Sequence, residues 1–108
     1  MKSIILVLLL SFGATDCFAE TESTGQTTIK RLVSYNQQGD VIFTVNNPSS
    51  NCYGYWISKS DAGFDANLSM VLAAYHAKSP VRVYGLNHIK WSGSSNFWCK
   101  LYAIENTR

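Results

Sequence analysis

The chain opens on an apolar run, Ile4 to Leu10, behind the single cation Lys2, and the next charges are Asp16 and Glu20. The run is roughly seven to nine residues, far short of the ~20 a membrane-crossing helix needs. Gly13 follows it, and small residues at Cys17 and Ala19 suit a signal peptidase. This pattern predicts a signal peptide over residues 1–19, cleaved after Ala19, and so a secreted or periplasmic protein. Acylation of Cys17 as a lipoprotein is the competing reading; Asp16, standing where a small residue is wanted, argues against it.

Beyond residue 19 the period is mostly that of a strand. Residues 20–26 are polar and aperiodic and read as a flexible leader to a single domain over 27–108. Thr27 to Tyr35 is rich in β-branched residues, a turn follows at residues 36–40, and Val41, Phe43 and Val45 then alternate onto one face, which together predict a hairpin. The breaker cluster Asn46 to Asn51 separates it from a third strand, Cys52 to Ser58. The period then switches. Leu68, Val71, Leu72 and Tyr75 recur as one helical stripe, with Asp65 or Asn67 as the cap, and Ser79-Pro80 stops the helix. Val81 to Tyr84 predicts a fourth strand, Gly85 to Asn96 a loop, and Trp98 to Ile104 a fifth strand with Cys99, Leu101 and Ala103 on one face.

Three strands, a helix and two strands are the order of an OB-fold, a mostly β, five-stranded Greek-key barrel with its helix between strands three and four. A helix packed on an open antiparallel sheet reads almost the same; the barrel is preferred because closure removes exposed edges.

Removing 19 of 108 residues leaves 89, a domain too small to hold a large core unaided. Cys17 leaves with the signal, so Cys52 and Cys99 remain as a pair in an oxidising compartment and are expected to be bonded. The mature chain keeps eight Lys+Arg (nine less Lys2) and six Asp+Glu (seven less Asp16), a net +2. Apart from Lys30-Arg31 its cations are scattered singly, which speaks against nucleic acid and anionic lipid as partners, and no membrane insertion is expected, since the apolar run is too short to span a bilayer.

The aromatic and small polar residues of the second half suit a sugar. In the segment Trp91 to Trp98 an indole is followed by Ser92, Gly93, Ser94, Ser95 and Asn96, offering a stacking face beside hydroxyl and amide groups. Trp91, Ser92, Ser94 and Asn96, with Tyr84 in support, are the candidate ligand-binding residues; packing of both tryptophans in the core is the plainer account. His76 and His88 lack metal-cage spacing, no nucleophile motif or paired carboxylates stand out, and Asp40, Asp61 and Asp65 read as turn or capping residues. No enzyme, metal or cofactor is expected. Asn67-Leu68-Ser69 matches a glycosylation acceptor only by accident of a helical position.

The helix Leu68 to Tyr75 followed by Pro80-Val81-Arg82-Val83-Tyr84 resembles the B subunits of pentameric AB toxins, the subtilase cytotoxin branch above all. Cys52-Tyr53-Gly54-Tyr55-Trp56, Trp91-Ser92-Gly93-Ser94 and Cys99-Lys100-Leu101-Tyr102 look like related small exported bacterial proteins. The resemblance spans about residues 50–104 and implies an OB-fold, a homopentameric ring, a catalytic A chain as partner and host glycans as ligands. Gly85 stands where those subunits carry an aromatic, and Ser23 and Ser34 are the candidate counterparts of their sialic-acid-contacting serine. The alternative, from another class, is a protein-interaction module, either an inhibitor or an accessory subunit of a secreted or periplasmic complex.

Overall fold

The computed structural model describes residues 20–108; the expected signal peptide lies outside the described residues. The hairpin forms as the alternation predicts. Strands β2 (Ile29–Tyr35) and β3 (Asp40–Val45) pair antiparallel, ending at Tyr35↔Asp40. The turn between them closes through Gly39 N–H to Tyr35 O, 3.1 Å, with Gly39 at a φ of 74° that a glycine adopts without strain. Near its start β2 is irregular between Ile29 and Arg31, which shifts the register around Lys30.

Strand β4 (Gly54–Ser58) pairs antiparallel with β3 and parallel with β6 (Trp98–Asn106), and β6 pairs antiparallel with β5 (Val81–Lys90). The sheet has six strands where five were expected. The sixth, β1 (Thr21–Ser23), falls in the segment expected as a flexible leader and adds to β5, giving the order β1-β5-β6-β4-β3-β2. A three-residue strand shows no period, so pattern alone could not find it. Thr24 fixes it in place: its N–H donates to Val83 O at 2.9 Å, and its buried Oγ1 accepts Val83 N–H at 3.0 Å. An antiparallel bridge, Thr27↔Val81, joins the lead into β2 to the start of β5.

The inward faces form the core: Val41, Phe43 and Val45 from β3, Tyr55 and Ile57 from β4, Val81 and Val83 from β5, Cys99 and Leu101 from β6. A register shift between Tyr84 and Gly85, opposite Ala103 and Leu101, inserts a residue in β6, so Ile104 packs on the core where Ala103 was expected. Cys52 and Cys99 are bonded, their Cα atoms 5.4 Å apart. Tyr55 is wholly buried, stacks on Phe43 at 5.5 Å, and its hydroxyl lies 3.2 Å from Ser49 Oγ; burial pushes its phenol pKa up.

Helix α1 (Phe64–Ala77) covers the core with Val71 and Ala74, flanked by Phe64 and Leu68. The expected stripe was partly wrong, since Leu72 is 40% and Tyr75 37% exposed. The expected caps were wrong as well. Asp65 and Asn67 lie inside the helix, Gly63 precedes it without a side-chain cap, and Asp61 instead accepts Ser58 N–H at 2.8 Å while pairing with Lys100 at 2.6 Å. Lys100 also lies 3.9 Å above the ring of Trp56, whose indole N–H donates to Ile89 O. The helix ends in a Schellman arrangement, Ser79 N–H to Ala74 O at 3.0 Å, with Pro80 beyond it.

Candidate functional site

Both faces of β3 are buried, which an alternating strand does not predict. The reason is a second hydrophobic cluster on the outer face, where Ile42, Trp91 and Trp98 pack together with Val33 and Trp56 at its margin. Trp91 belongs to the segment between β5 and β6, which folds back over the sheet. The neck of that loop is closed by Trp91 N–H to Trp98 O at 3.1 Å, and Lys90 Nζ ties its interior by donating to Trp91 O and Ser94 O.

Trp91 is only 8% exposed. Its ring sits 5.7 Å from Trp98 and 5.5 Å from Tyr35, and the Gly93 backbone lies so close that a Cβ there would stand 2.4 Å from the indole. The indole thus serves as a plug, with little of its surface left for a ligand to stack on. Its N–H donates to Asp40 Oδ2 at 2.9 Å, tying the loop to the end of the β2–β3 hairpin.

Where these two loops meet, Tyr35, Gln38, Asp40, Trp91, Ser92 and Gly93 line an open cleft of about 290 Å³. Tyr35, 39% exposed, offers the aromatic face that Trp91 does not. Gln38 supplies an amide, Ser92 a hydroxyl, and Asp40 a carboxylate with one oxygen already held by the indole. The arrangement can stack an apolar ring face and hydrogen-bond several hydroxyls from fixed positions.

Of the residues expected from sequence, Trp91 and Ser92 line this cleft; Ser94, Asn96 and Tyr84 do not. Ser94 Oγ accepts Asn96 N–H at 3.1 Å in a local turn. Tyr84 lies within β5, opposite Ser23 of β1, and its hydroxyl donates to Glu105 Oε1 beside the Arg82–Glu105 ion pair, both at 3.1 Å. Hydrogen bonds to Glu105 and Tyr84 raise the Arg82 pKa further above its ordinary value. Sequence reading does not single out Tyr35, Gln38 and Asp40, because Tyr35 and Asp40 are the paired strand ends that flank the hairpin turn and Gln38 lies within it, and forming a hairpin explains all three.

A second polar knot holds β1. Glu22 accepts hydrogen bonds from Asn51 N–H and Asn51 Nδ2, both at 3.0 Å, and from Asn87 Nδ2. Burial on its own would raise the Glu22 pKa, but hydrogen bonds from Asn87, Asn51 and Ser49 outweigh it and hold the carboxyl at about 2, against an ordinary 4.5.

Among the described residues no three His, Cys, Asp or Glu side chains are grouped to hold a metal ion, and no helix is long and apolar enough to cross a membrane. His88 lies 3.7 Å from Glu20, and His76 packs edge-on to Tyr75. No protein-family model and no curated protein matches the chain.

Proposed function

We infer that the chain is an exported, non-enzymatic binding protein of OB-like fold that recognises a sugar in the cleft between the β2–β3 turn and the β5–β6 loop. One observation carries this reading: the Trp91–Asp40 hydrogen bond joins those two loops around an exposed aromatic, an amide, a carboxylate and a hydroxyl. OB-folds bind oligosaccharides with the loops between strands one and two and between strands four and five, the positions these loops take once β1 is set aside as an addition.

Three features support the OB-like assignment. They are the order β5-β6-β4-β3-β2, the parallel β4–β6 pair, and the Thr27↔Val81 bridge between the ends of that series. The cleft, at about 290 Å³, is at the small end of ligand sites, which suits one terminal sugar residue over a long chain. A single such site binds weakly. The five-copy ring implied by the resemblance to toxin B subunits would multiply it through avidity and would leave a catalytic A chain to be carried as cargo.

The test is a glycan array probed with the mature chain, its Tyr35→Ala variant and its Asp40→Asn variant. Binding to a defined set of terminal sugars that both variants lose supports the reading. Signal at background for every glycan, or binding that both variants retain, refutes it. The second reading, a protein-interaction module, draws on the exposed rings of Tyr53 and Tyr102, since aromatics are enriched at interface cores. Light scattering separates the two: a pentamer favours the toxin-like assembly, and a monomer favours the module.

A further inference from the structure

The basic residues look dispersed along the sequence, but folding gathers several of them. Lys30, in the irregular start of β2, and Lys78 and His76, at the end of α1, line one cleft of about 430 Å³ together with Thr28, Asn46 and Tyr75. Lys30 and Asn46 also line an adjoining cleft of about 280 Å³ with Arg31, Thr44, Pro48 and Tyr53. The two make one groove, with cations along it and a tyrosine in each part.

The charge here is uncompensated. No ion pair engages Lys30, Arg31, His76 or Lys78 among the described residues. Neither cleft is lined by a carboxylate. The acidic side chains are committed elsewhere: Glu20 to His88, Glu22 to Asn51 and Asn87, Asp40 to Trp91, Asp61 to Lys100, and Glu105 to Arg82. Asp65 sits in the first turn of α1, about 20 Å along the axis from Lys78 at ~1.5 Å per residue.

A further observation concerns Lys78. Lys78 has φ 54°, the one positive φ outside glycine among the described residues, at a helix end where glycine would sit without a Cβ penalty. That turn places the Lys78 cation at the end of α1, where it lines the larger cleft.

We propose that this groove is a second ligand site, separate from the cleft at Asp40, and that it takes an acidic oligosaccharide whose sulfate or carboxylate groups pair with Lys30, Arg31 and Lys78 while its rings lie against Tyr75 and Tyr53. A saccharide is favoured over nucleic acid because three cations, Lys30, Arg31 and Lys78, on a chain of net charge +2 match a ligand with an anion every ring or two, and fall short of a continuous stripe for a phosphate on every unit. The proposal does not rest on the first site.

The experiment is calorimetric titration of the mature chain with a heparin-derived hexasaccharide, an oligogalacturonate of equal length, maltohexaose, and a short single-stranded dT oligomer. Saturable binding of the sulfated or the carboxylated probe, whichever is tighter naming the anion, is expected, with maltohexaose leaving that binding undisturbed. Lys30→Ala and Lys78→Gly each weaken it about tenfold or more. Lys59→Ala, at the far end of the hairpin beside Gly39, leaves it unchanged. Lys78→Gly also melts a few degrees higher than the parent, which shows that the loss is not a folding defect. Tyr35→Ala, which disables the first cleft, leaves the acidic probe bound. Failure of both acidic probes to bind, equal weakening by Lys59→Ala, or tighter binding of the dT oligomer overturns the proposal.

Discussion

The indole N–H of Trp91 donates to Asp40 Oδ2 across 2.9 Å, and this one bond spans the two loops that define the cleft. Trp91→Phe keeps an aromatic in the outer cluster and removes only the donor and part of the ring. A hydrogen bond to a charged group contributes about 1.5–3 kcal/mol, so the variant should lose roughly that much stability by denaturant midpoint. Amide exchange should quicken selectively in the 91–97 loop, and sugar binding should weaken with it.

Gly93 is required by its neighbour. A Cβ there would stand 2.4 Å from the Trp91 ring, whereas one at Gly25 meets nothing within 4 Å. Gly93→Ala is therefore expected to cost about 1–3 kcal/mol by displacing the plug, and Gly25→Ala to be nearly neutral. Thermal melts of the two variants side by side check the contrast.

Glu22 sets an acid limit on β1. Its folded pKa of about 2 lies below the ordinary 4.5, so ionised Glu22 stabilises the native state above pH 4.5, and that contribution is lost as pH falls from 4.5 toward 2. Melting temperatures of the parent and Glu22→Gln should differ at neutral pH and converge as pH drops through that window. A gap that stays constant from pH 6 to about pH 2.5 would contradict the assignment.

The disulfide closes a long loop. With Cys52 and Cys99 separated by 47 residues, the chain-entropy model gives about 4 kcal/mol, comparable with the whole stability of a small domain. A Cys52→Ala, Cys99→Ala double variant should be largely unfolded at physiological temperature by circular dichroism. An unchanged melting temperature would refute the staple.

Legibility from the sequence followed the physics of each signal. Val41, Phe43 and Val45 face the core as their alternation predicts, although the other face of β3 is buried too, by the cluster around Ile42. Ala103 was misassigned because an irregularity beside Gly85 shifts that period, and a shifted period leaves no mark in composition. Leu72 and Tyr75 fitted a helical stripe, yet the core touches α1 along Phe64, Leu68, Val71 and Ala74, a line that packing chose from an apolar helix. A loop is expected from Gly85, whereas β5 runs to Lys90, because the strand continues across an irregularity between Leu86 and Lys90 and regains its pairing at Lys90↔Cys99, which the polar residues Asn87 and His88 do not signal.

The candidate site was half visible. Trp91 and Ser92 could be singled out by residue type, but which way an indole faces is decided by Gly93 and Asp40, and the latter is distant in sequence. Tyr35 became the exposed ring only when the two loops met. The basic groove was hidden for the same reason, since Lys30 and Lys78 come together through the docking of α1 beside β2.

The most direct test is a nuclear magnetic resonance titration of the isotope-labelled mature chain with the tightest-binding sugar from the array. Shifts concentrated on Tyr35, Gln38, Asp40 and Ser92, with intermolecular contacts from sugar ring protons to the Tyr35 ring, are the predicted result. Saturable shifts that leave those residues unmoved and map to another face would contradict the account.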